Sequence, residues 1–194
     1  MTGRASGAIM VAVFDLDDFI QSCRDCLDET EPRRAIRETV ARAVSEPASV
    51  RHALRSEQAG ITFLHRADDL TILHVVWAPG MVLFPHDHRM WACIGIHDGR
   101  EDNQFFRRAE HGAGLVDSGG KRLDESDVVL LGDDTIHSVT NPLGAPTGAI
   151  HVYGGDFVAQ PRSQWAPPEQ IEQPYEAEQV NRVFADANAA WHTT

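Results

Sequence analysis

Residues 85–91 read PHDHRMW, and an apolar run over residues 91–96 follows them. Because alternate residues of a strand point to the same face, His86 and His88 would present two imidazoles side by side. Two imidazoles on one face can hold one cation, and Fe, Zn, Cu and Ni all accept imidazole ligands. A lone H-x-H also fits an exposed or hydrogen-bonded pair, so signals elsewhere in the chain must decide.

The chain around this motif is typical of an all-β fold. Short segments rich in β-branched and aromatic residues alternate with turn signals such as Pro79-Gly80 and Asp98-Gly99. Many short strands at this spacing favour a sandwich or a barrel. The predicted strands cover residues 61–65, 70–77, 91–96, 103–107, 114–117, 128–131, 138–140 and 147–153.

Helices are predicted before the barrel. The acidic stretch 15–18 suits a helix N-terminus, because carboxylates stabilise the unpaired amides there. Thr30 and Pro32 suit the cap and the first turn of a second helix. A third short helix is predicted over residues 49–56.

The C-terminal part is predicted to cover the barrel. Residues 161–174 contain four prolines, which favours an extended wrap, and residues 176–191 are predicted to form a closing helix. One structural domain in three parts is expected: a helical segment over 1–58, a barrel over 59–160, and a wrap with a helix over 161–194.

Composition excludes several classes of function. In 194 residues, 17 Lys and Arg stand against 29 Asp and Glu, which gives a net charge of −12. This negative net charge argues against nucleic acids and anionic membranes as partners. Residues 7–14 are too short to span a membrane and make a poor signal peptide. Three cysteines cannot all pair. We expect a cytoplasmic monomer or homodimer.

A second motif identifies the superfamily that the chain resembles. Residues 132–141 read GDDTIHSVTN, a Gly-led turn that ends in H-x-x-x-N. Together with the H-x-H, this segment resembles the two motifs of the cupin superfamily. The resemblance implies a double-stranded β-helix, a metal held by His86, His88 and His137, and a closing asparagine at Asn141.

Within the cupins, the chain resembles thiol dioxygenases of the cysteine dioxygenase type. Cys93 stands where other cupins carry an acid, and residues 149–153 read AIHVY. The resemblance implies an Fe(II) enzyme that oxidises a small molecule with O₂, with a thiol oxidised to a sulfinate as the candidate reaction. It implies further that His151 and Tyr153 lie beside the metal, that Cys93 and Tyr153 can form a thioether crosslink, and that Trp77 lines the site.

Departures from that family concern the substrate. Ala149 replaces the serine of a Ser-His-Tyr hydrogen-bond relay. In cysteine-specific members an arginine on an early strand binds the substrate carboxylate; here His65 takes that position and Arg66 follows it. Both are predicted substrate contacts, as is Trp77. The motifs PHDHRMW and GREDN also match an uncharacterised bacterial branch of cupins.

Several alternatives stay open. Three imidazoles accept Zn, Ni or Mn as well as Fe(II). The protein could be another metal-dependent cupin, such as a C–C-cleaving dioxygenase, lyase or isomerase, or a non-catalytic binder of metal or small molecules. Cys93 could be a plain buried thiol. Glu101 could be a fourth ligand, but a pair with a neighbouring arginine is favoured. His97 is predicted to be solvated and His74 to lie in the core.

Overall fold

The computed structural model describes residues 13–111, 114–168 and 170–193. Most of the apolar stretch 7–14 lies outside these ranges. Four α-helices are present in them: α1 Leu16–Asp25, α2 Pro32–Val44, α3 Pro47–Ala53 and α4 Ala177–Trp191. The strands are β1 Gly60–Arg66, β2 Thr71–Trp77, β3 Val82–Asp87, β4 Ala92–Asp98, β5 Arg100–Arg108, β6 Leu115–Asp124, β7 Val128–Leu131, β8 Ile136–Thr140, β9 Thr147–Tyr153, β10 Ser163–Gln164 and β11 Gln173–Pro174.

The strands form two antiparallel sheets. One has the order β1-β2-β9-β4-β7, and the other has the order β11-β10-β3-β8-β5-β6. Strands distant in sequence are neighbours in both sheets, as in a jelly roll. This arrangement, with helices at both ends of the chain, confirms the predicted all-β double-stranded β-helix. No helix in the described ranges is long and apolar enough to cross a membrane.

Two cores hold the layers together. The inner core lies between the sheets and includes Leu73 and Ile94 from one sheet and Val139 from the other. The helix-side core packs α1, α2 and α3 on the outer face of the five-stranded sheet, with Val40 among its fully buried members. Strands β2 and β9 are therefore buried on both faces, which explains their continuous apolar sequences.

Local details differ from the prediction at two places. Helix α2 begins at Pro32 as expected, but Glu31 is the N-cap residue and makes no side-chain cap bond, so the Thr30 cap is wrong. The strand predicted over residues 114–117 does not end there but continues through Ser118-Gly119-Gly120 as β6, where the pairing with β5 shifts register. Glycine marks a bulge there instead of ending the strand.

The C-terminal wrap is tied to β3 by an ion-pair cluster. The fully buried carboxylate of Asp87 accepts bonds from Arg89 at 2.6 Å, from Arg108 at 3.0 Å and from the backbone N–H of Ser163 at 2.7 Å. Glu172 of the wrap accepts bonds from Arg108 at 2.6 Å and from the Ser163 hydroxyl at 2.8 Å. The wrap is thereby fixed to the strand that carries the H-x-H motif.

A histidine pair is buried on the helix side of the five-stranded sheet. His74 on β2 and His97 on β4 face each other with their Nε2 atoms 3.1 Å apart. The prediction that His97 is solvated is wrong, because its ring packs on Gly148, where a Cβ atom would lie 2.4 Å from the ring. Burial lowers the pKa of His74 to about 4 and that of His97 to about 3. Both rings are therefore neutral at neutral pH.

Acid should destabilise the metal-free protein through this pair. The folded protein binds fewer protons than the unfolded chain below pH 6.5, so stability is lost as the pH falls. Between pH 7 and pH 5 one such histidine contributes a loss of about 2 kcal/mol. Urea unfolding at the two pH values should show a smaller loss for His97→Gln than for the wild type. The exposed His52→Gln serves as the control, and an equal loss in all three proteins would contradict the expectation.

Candidate metal centre

Three histidines from the six-stranded sheet meet inside the barrel. His86 lies on β3, His88 follows that strand directly, and His137 lies on β8 as the cross-strand partner of His86. One nitrogen of each ring lies within 4.8 Å of the other two, and all three side chains are buried. The structure thus brings together the three residues that the two motifs predict as ligands.

Hydrogen bonds orient two of these rings. Nδ1 of His86 lies 3.0 Å from the carbonyl oxygen of Phe84, and Nδ1 of His137 lies 2.6 Å from Oδ1 of Asn103. Both partners are acceptors, so Nδ1 of each ring carries the proton and donates it. The lone pair of each ring is then on Nε2. Nε2 of His137 is buried with no hydrogen-bond partner, as expected of a nitrogen that ligates a metal.

Burial also sets the charge of the three rings. It lowers the pKa of His86 to about 4 and that of His88 and His137 well below the ordinary value for histidine. Neutral imidazole is the form that binds a metal, so no proton must be displaced at neutral pH. The donor set therefore fits a divalent ion of the iron-to-zinc series.

Behind His137 stands a buried carboxylate. Asn103 donates from Nδ2 to Oε1 of Glu101 at 2.9 Å, and the indole Nε1 of Trp77 donates to Oε2 of Glu101 at 2.9 Å. Glu101 is fully buried and lies outside the three-histidine group. The expected arginine pair is wrong, because Arg100 binds Asp102 instead. Sequence reasoning missed Asn103, although the alternation of residues 101 and 103 places both on one face.

Strand β9 supplies the other wall of the site. His151 and Tyr153 point into the barrel, and Nδ1 of His151 lies 3.0 Å from the hydroxyl of Tyr153. The ring of Tyr153 lies edge-on to His88 with centroids 4.9 Å apart, and the ring of Phe157 covers Tyr153 at 4.6 Å. The predicted neighbours of the metal are thus present on this wall.

Trp77 also lines the cavity, as its sequence position predicted. Its ring stacks on Phe184 of α4 with centroids 5.5 Å apart. The closing helix therefore supports one wall of the site, and the indole N–H is aimed at Glu101.

Cys93 lies on the wrong side of the sheet for a role in the site. It pairs with Val152 and is fully buried in the helix-side core, whereas Tyr153 pairs with Ala92 and belongs to the inner core. The two side chains point to opposite faces, so the predicted crosslink and the predicted role of Cys93 are wrong. Burial raises the pKa of Cys93 to about 12, which leaves a neutral packing thiol.

The two predicted substrate contacts on β1 are also corrected. A bulge between Phe63 and His65 shifts the register, so that His65 pairs with Ile72 of the helix-side core and shares its face. Arg66 lies at the edge of the sheet, where its Nε and Nη2 each donate to a carboxylate oxygen of Asp156 at 2.8 Å. Neither side chain lines the cavity beside the histidines.

The cavity beside the histidines is small, and a larger groove lies outside it. The inner cavity has a volume of about 20 Å³, and the groove has a volume of about 500 Å³. Both are bounded by Ile61, Phe157, Tyr175 and Val180. The aromatic side chains of Phe157 and Tyr175 therefore separate the three histidines from the groove.

Arg162 is a cation on the wall of this groove. Its guanidinium carbon lies 3.8 Å from the ring centroids of both Phe157 and Tyr175, and its Nη1 donates to the carbonyl of Phe157. Nε of Arg162 is buried without a partner, and no carboxylate of the described residues forms an ion pair with it. Sequence reasoning missed this residue because it lies in the wrap, outside both motifs.

Comparisons with known proteins concern the fold. No model of a known protein family matches the chain. A cupin superfamily protein from Desulfitobacterium hafniense is 17% identical with a TM-score of 0.42, and the match covers 53% of this chain and 82% of that chain. A protein from Bacillus halodurans is 14% identical with a TM-score of 0.48, and the match covers 69% and 89%. Oxalate decarboxylase from Bacillus subtilis is 17% identical with a TM-score of 0.42, and the match covers 53% and 27%.

Removing the acceptor behind His137 should weaken metal binding. Asn103→Ala leaves Nδ1 of His137 without its partner, so the ring and its tautomer are no longer fixed. We expect zinc affinity, measured by competition with a chromogenic chelator, to fall by about 10- to 100-fold. The neighbouring Gln104→Ala is the control, since Gln104 bonds to Asp117 on β6. Equal affinities in both variants would contradict the assignment.

Proposed function

We propose that the protein is a mononuclear non-haem Fe(II) dioxygenase that oxidises a small thiol to a sulfinate. The observation that carries the proposal is the convergence of three neutral, buried histidines beside the His151–Tyr153 pair. Three uncharged ligands leave the charge of a divalent ion uncompensated, which favours an anionic thiolate as the next partner. Zn, Ni and Mn stay alternatives that metal analysis would separate.

The overall reaction adds both atoms of O₂ to one sulfur. A thiol and O₂ give a sulfinic acid, RSH + O₂ → RSO₂H, and sulfur supplies the four electrons that reduce the oxygen. When bound, Fe(II) supplies the redox chemistry that protein side chains lack. The chain itself provides the neutral donors, a buried site and the hydroxyl of Tyr153.

Tyr153 is placed to orient the reacting groups. Its hydroxyl is held by His151, and its ring contacts His88, so the oxygen is fixed beside the predicted ligands. Burial raises the pKa of Tyr153 above its usual range, which keeps the phenol protonated at neutral pH. A neutral phenol can donate to or accept from a substrate oxygen or sulfur.

The two cavities indicate how a substrate would sit. The inner cavity of about 20 Å³ holds no more than a reacting group, so the rest of the substrate must extend toward the outer groove. Movement of Phe157 or Tyr175 would connect the two spaces. Arg162 then lies where a carboxylate on the substrate could form a bidentate pair. We propose a thiol with a carboxylate as the substrate class.

The free thiols support a proposal about the cellular setting. Cys23, Cys26 and Cys93 are buried and unpaired, which is usual for a reducing compartment. We propose a cytoplasmic enzyme that acts on a small-molecule substrate with O₂, as a monomer or homodimer, without nucleic acid or membrane partners.

Oxygen uptake tests the proposed reaction. Protein loaded with one equivalent of Fe(II) without oxygen should consume O₂ with cysteine or 3-mercaptopropionate and form the sulfinate. His137→Ala should abolish uptake, while the exposed His52→Ala should retain it. Protein shown to hold iron that consumes no O₂ with any thiol, cysteamine included, would overturn thiol oxidation. Thiol-free metabolites would then be screened.

Arg162 should determine the preference for a carboxylate. In Arg162→Ala we expect KM for 3-mercaptopropionate to rise about 10- to 100-fold, because a charge-assisted pair is lost. KM for cysteamine, which has no carboxylate, should not change. Arg66→Ala is the matched control and should leave both values unaltered. A larger effect at Arg66 would restore the original prediction for β1.

A further inference from the structure

Glu101 connects two hydrogen-bond chains inside the barrel. One chain runs from His137 through Asn103 to Oε1 of Glu101, with distances of 2.6 and 2.9 Å. The other runs from Tyr153 through His151, whose Nε2 lies 3.8 Å from Oε2 of Glu101. One carboxylate on β5 therefore faces both the predicted metal ligands and the tyrosine on the opposite sheet.

In the second chain of hydrogen bonds, Nε2 of His151 lacks an acceptor. Among the residues of the two chains, only Glu101 offers one. Ala149 offers no side-chain acceptor to His151, and Nε2 of His151 is buried without a hydrogen-bond partner. A separation of 3.8 Å from a carboxylate oxygen is longer than a hydrogen bond, but at this distance the carboxylate attracts an N–H dipole and repels a nitrogen lone pair. An N–H on Nε2 of His151 is therefore favoured over a lone pair there.

Apart from His151, no basic side chain of the described residues forms an ion pair with the carboxylate of Glu101. Of the two fully buried carboxylates in the described ranges, Asp87 pairs with arginines on the outside of the barrel. Glu101 has only the neutral donors Trp77 and Asn103 within hydrogen-bond distance. Because a buried carboxylate needs compensation, it favours every arrangement that directs an N–H or a positive charge toward it.

We infer that Glu101 is a positioning residue that replaces the missing relay serine and sets the direction of both hydrogen-bond chains. Glu101 presents only acceptor oxygens to Asn103 and His151, so the amide of Asn103 turns its N–H₂ to Glu101 and its oxygen to His137. His151 carries its proton on Nε2 and accepts the hydroxyl proton of Tyr153 on Nδ1. The phenol oxygen then presents lone pairs to the site. The inference rests on the proposed function for its catalytic meaning but not for its geometry.

Glu101→Gln separates this role from a packing role. A glutamine has the same shape but only one acceptor oxygen. If that oxygen faces Asn103, the amide N–H₂ faces His151 and reverses its tautomer. If it faces Trp77 and His151, the N–H₂ turns Asn103 around and removes the acceptor from Nδ1 of His137. In either orientation of the glutamine amide, the hydrogen-bond direction must reverse in one of the two chains of hydrogen bonds.

The test uses zinc-loaded, ¹⁵N-histidine-labelled protein without thiol or O₂. Long-range ¹H–¹⁵N correlation spectra report the tautomer of each ring, with His151 assigned by its loss in His151→Asn. We expect the Nε2–H form of His151 in the wild type. In Glu101→Gln we expect either the Nδ1–H form of His151 or a fall in zinc affinity of about 10- to 100-fold, as for a lost acceptor behind a metal-binding histidine.

Two results would overturn the inference. One is an Nδ1–H tautomer of His151 in the wild type, which stays decisive even if the variant does not fold. The other is a folded Glu101→Gln protein in which the tautomer and the zinc affinity are both unchanged. Asp102→Asn is the matched control, since this neighbouring carboxylate pairs with Arg100 and should affect neither readout. Because no thiol is present, failure here is distinct from failure of thiol oxidation.

Discussion

The burial of polar rings between two sheets is the constraint on which the rest of the site depends. A polar atom removed from water must find a partner, and the inner core offers few. His86 donates to the backbone and His137 donates to Asn103, so the nitrogens left without partners face one another. A shared cation would satisfy them together. The same need for partners explains why Glu101 and Asn103 lie behind the histidines on β5.

Features governed by local periodicity were predictable from the sequence. Strand β9 has the predicted bounds of residues 147–153, and its alternation places His151 and Tyr153 on one face. For β9 the side-chain direction follows from a two-residue repeat within one strand, so no knowledge of the neighbouring strands was needed. The meeting of His137 with the H-x-H motif has a different source, because it depends on the pairing of β3 with β8 and was implied by the resemblance to the two cupin motifs.

Features that depend on pairing between distant strands were not predictable. The face on which His65 lies is decided by a bulge against β2, which no local signal marks. Cys93 follows a turn in which Arg89 has a φ of 53°, and such a turn breaks the alternation between His88 and β4. Glu101 acquires its role only where β2, β5 and β9 meet. Sequence spacing alone therefore does not predict the face to which a side chain points after a turn or in the opposite sheet.

The buried Asp87 has a consequence for protein engineering. It lies between the two histidines of the H-x-H motif, and on the opposite face it holds Arg108 and the backbone of Ser163. The wall of the outer groove is thus anchored to β3 by the carboxylate of Asp87. A library that reshapes residues 157–162 should leave Asp87, Arg108 and Glu172 constant. The groove could then be redesigned without moving the three histidines.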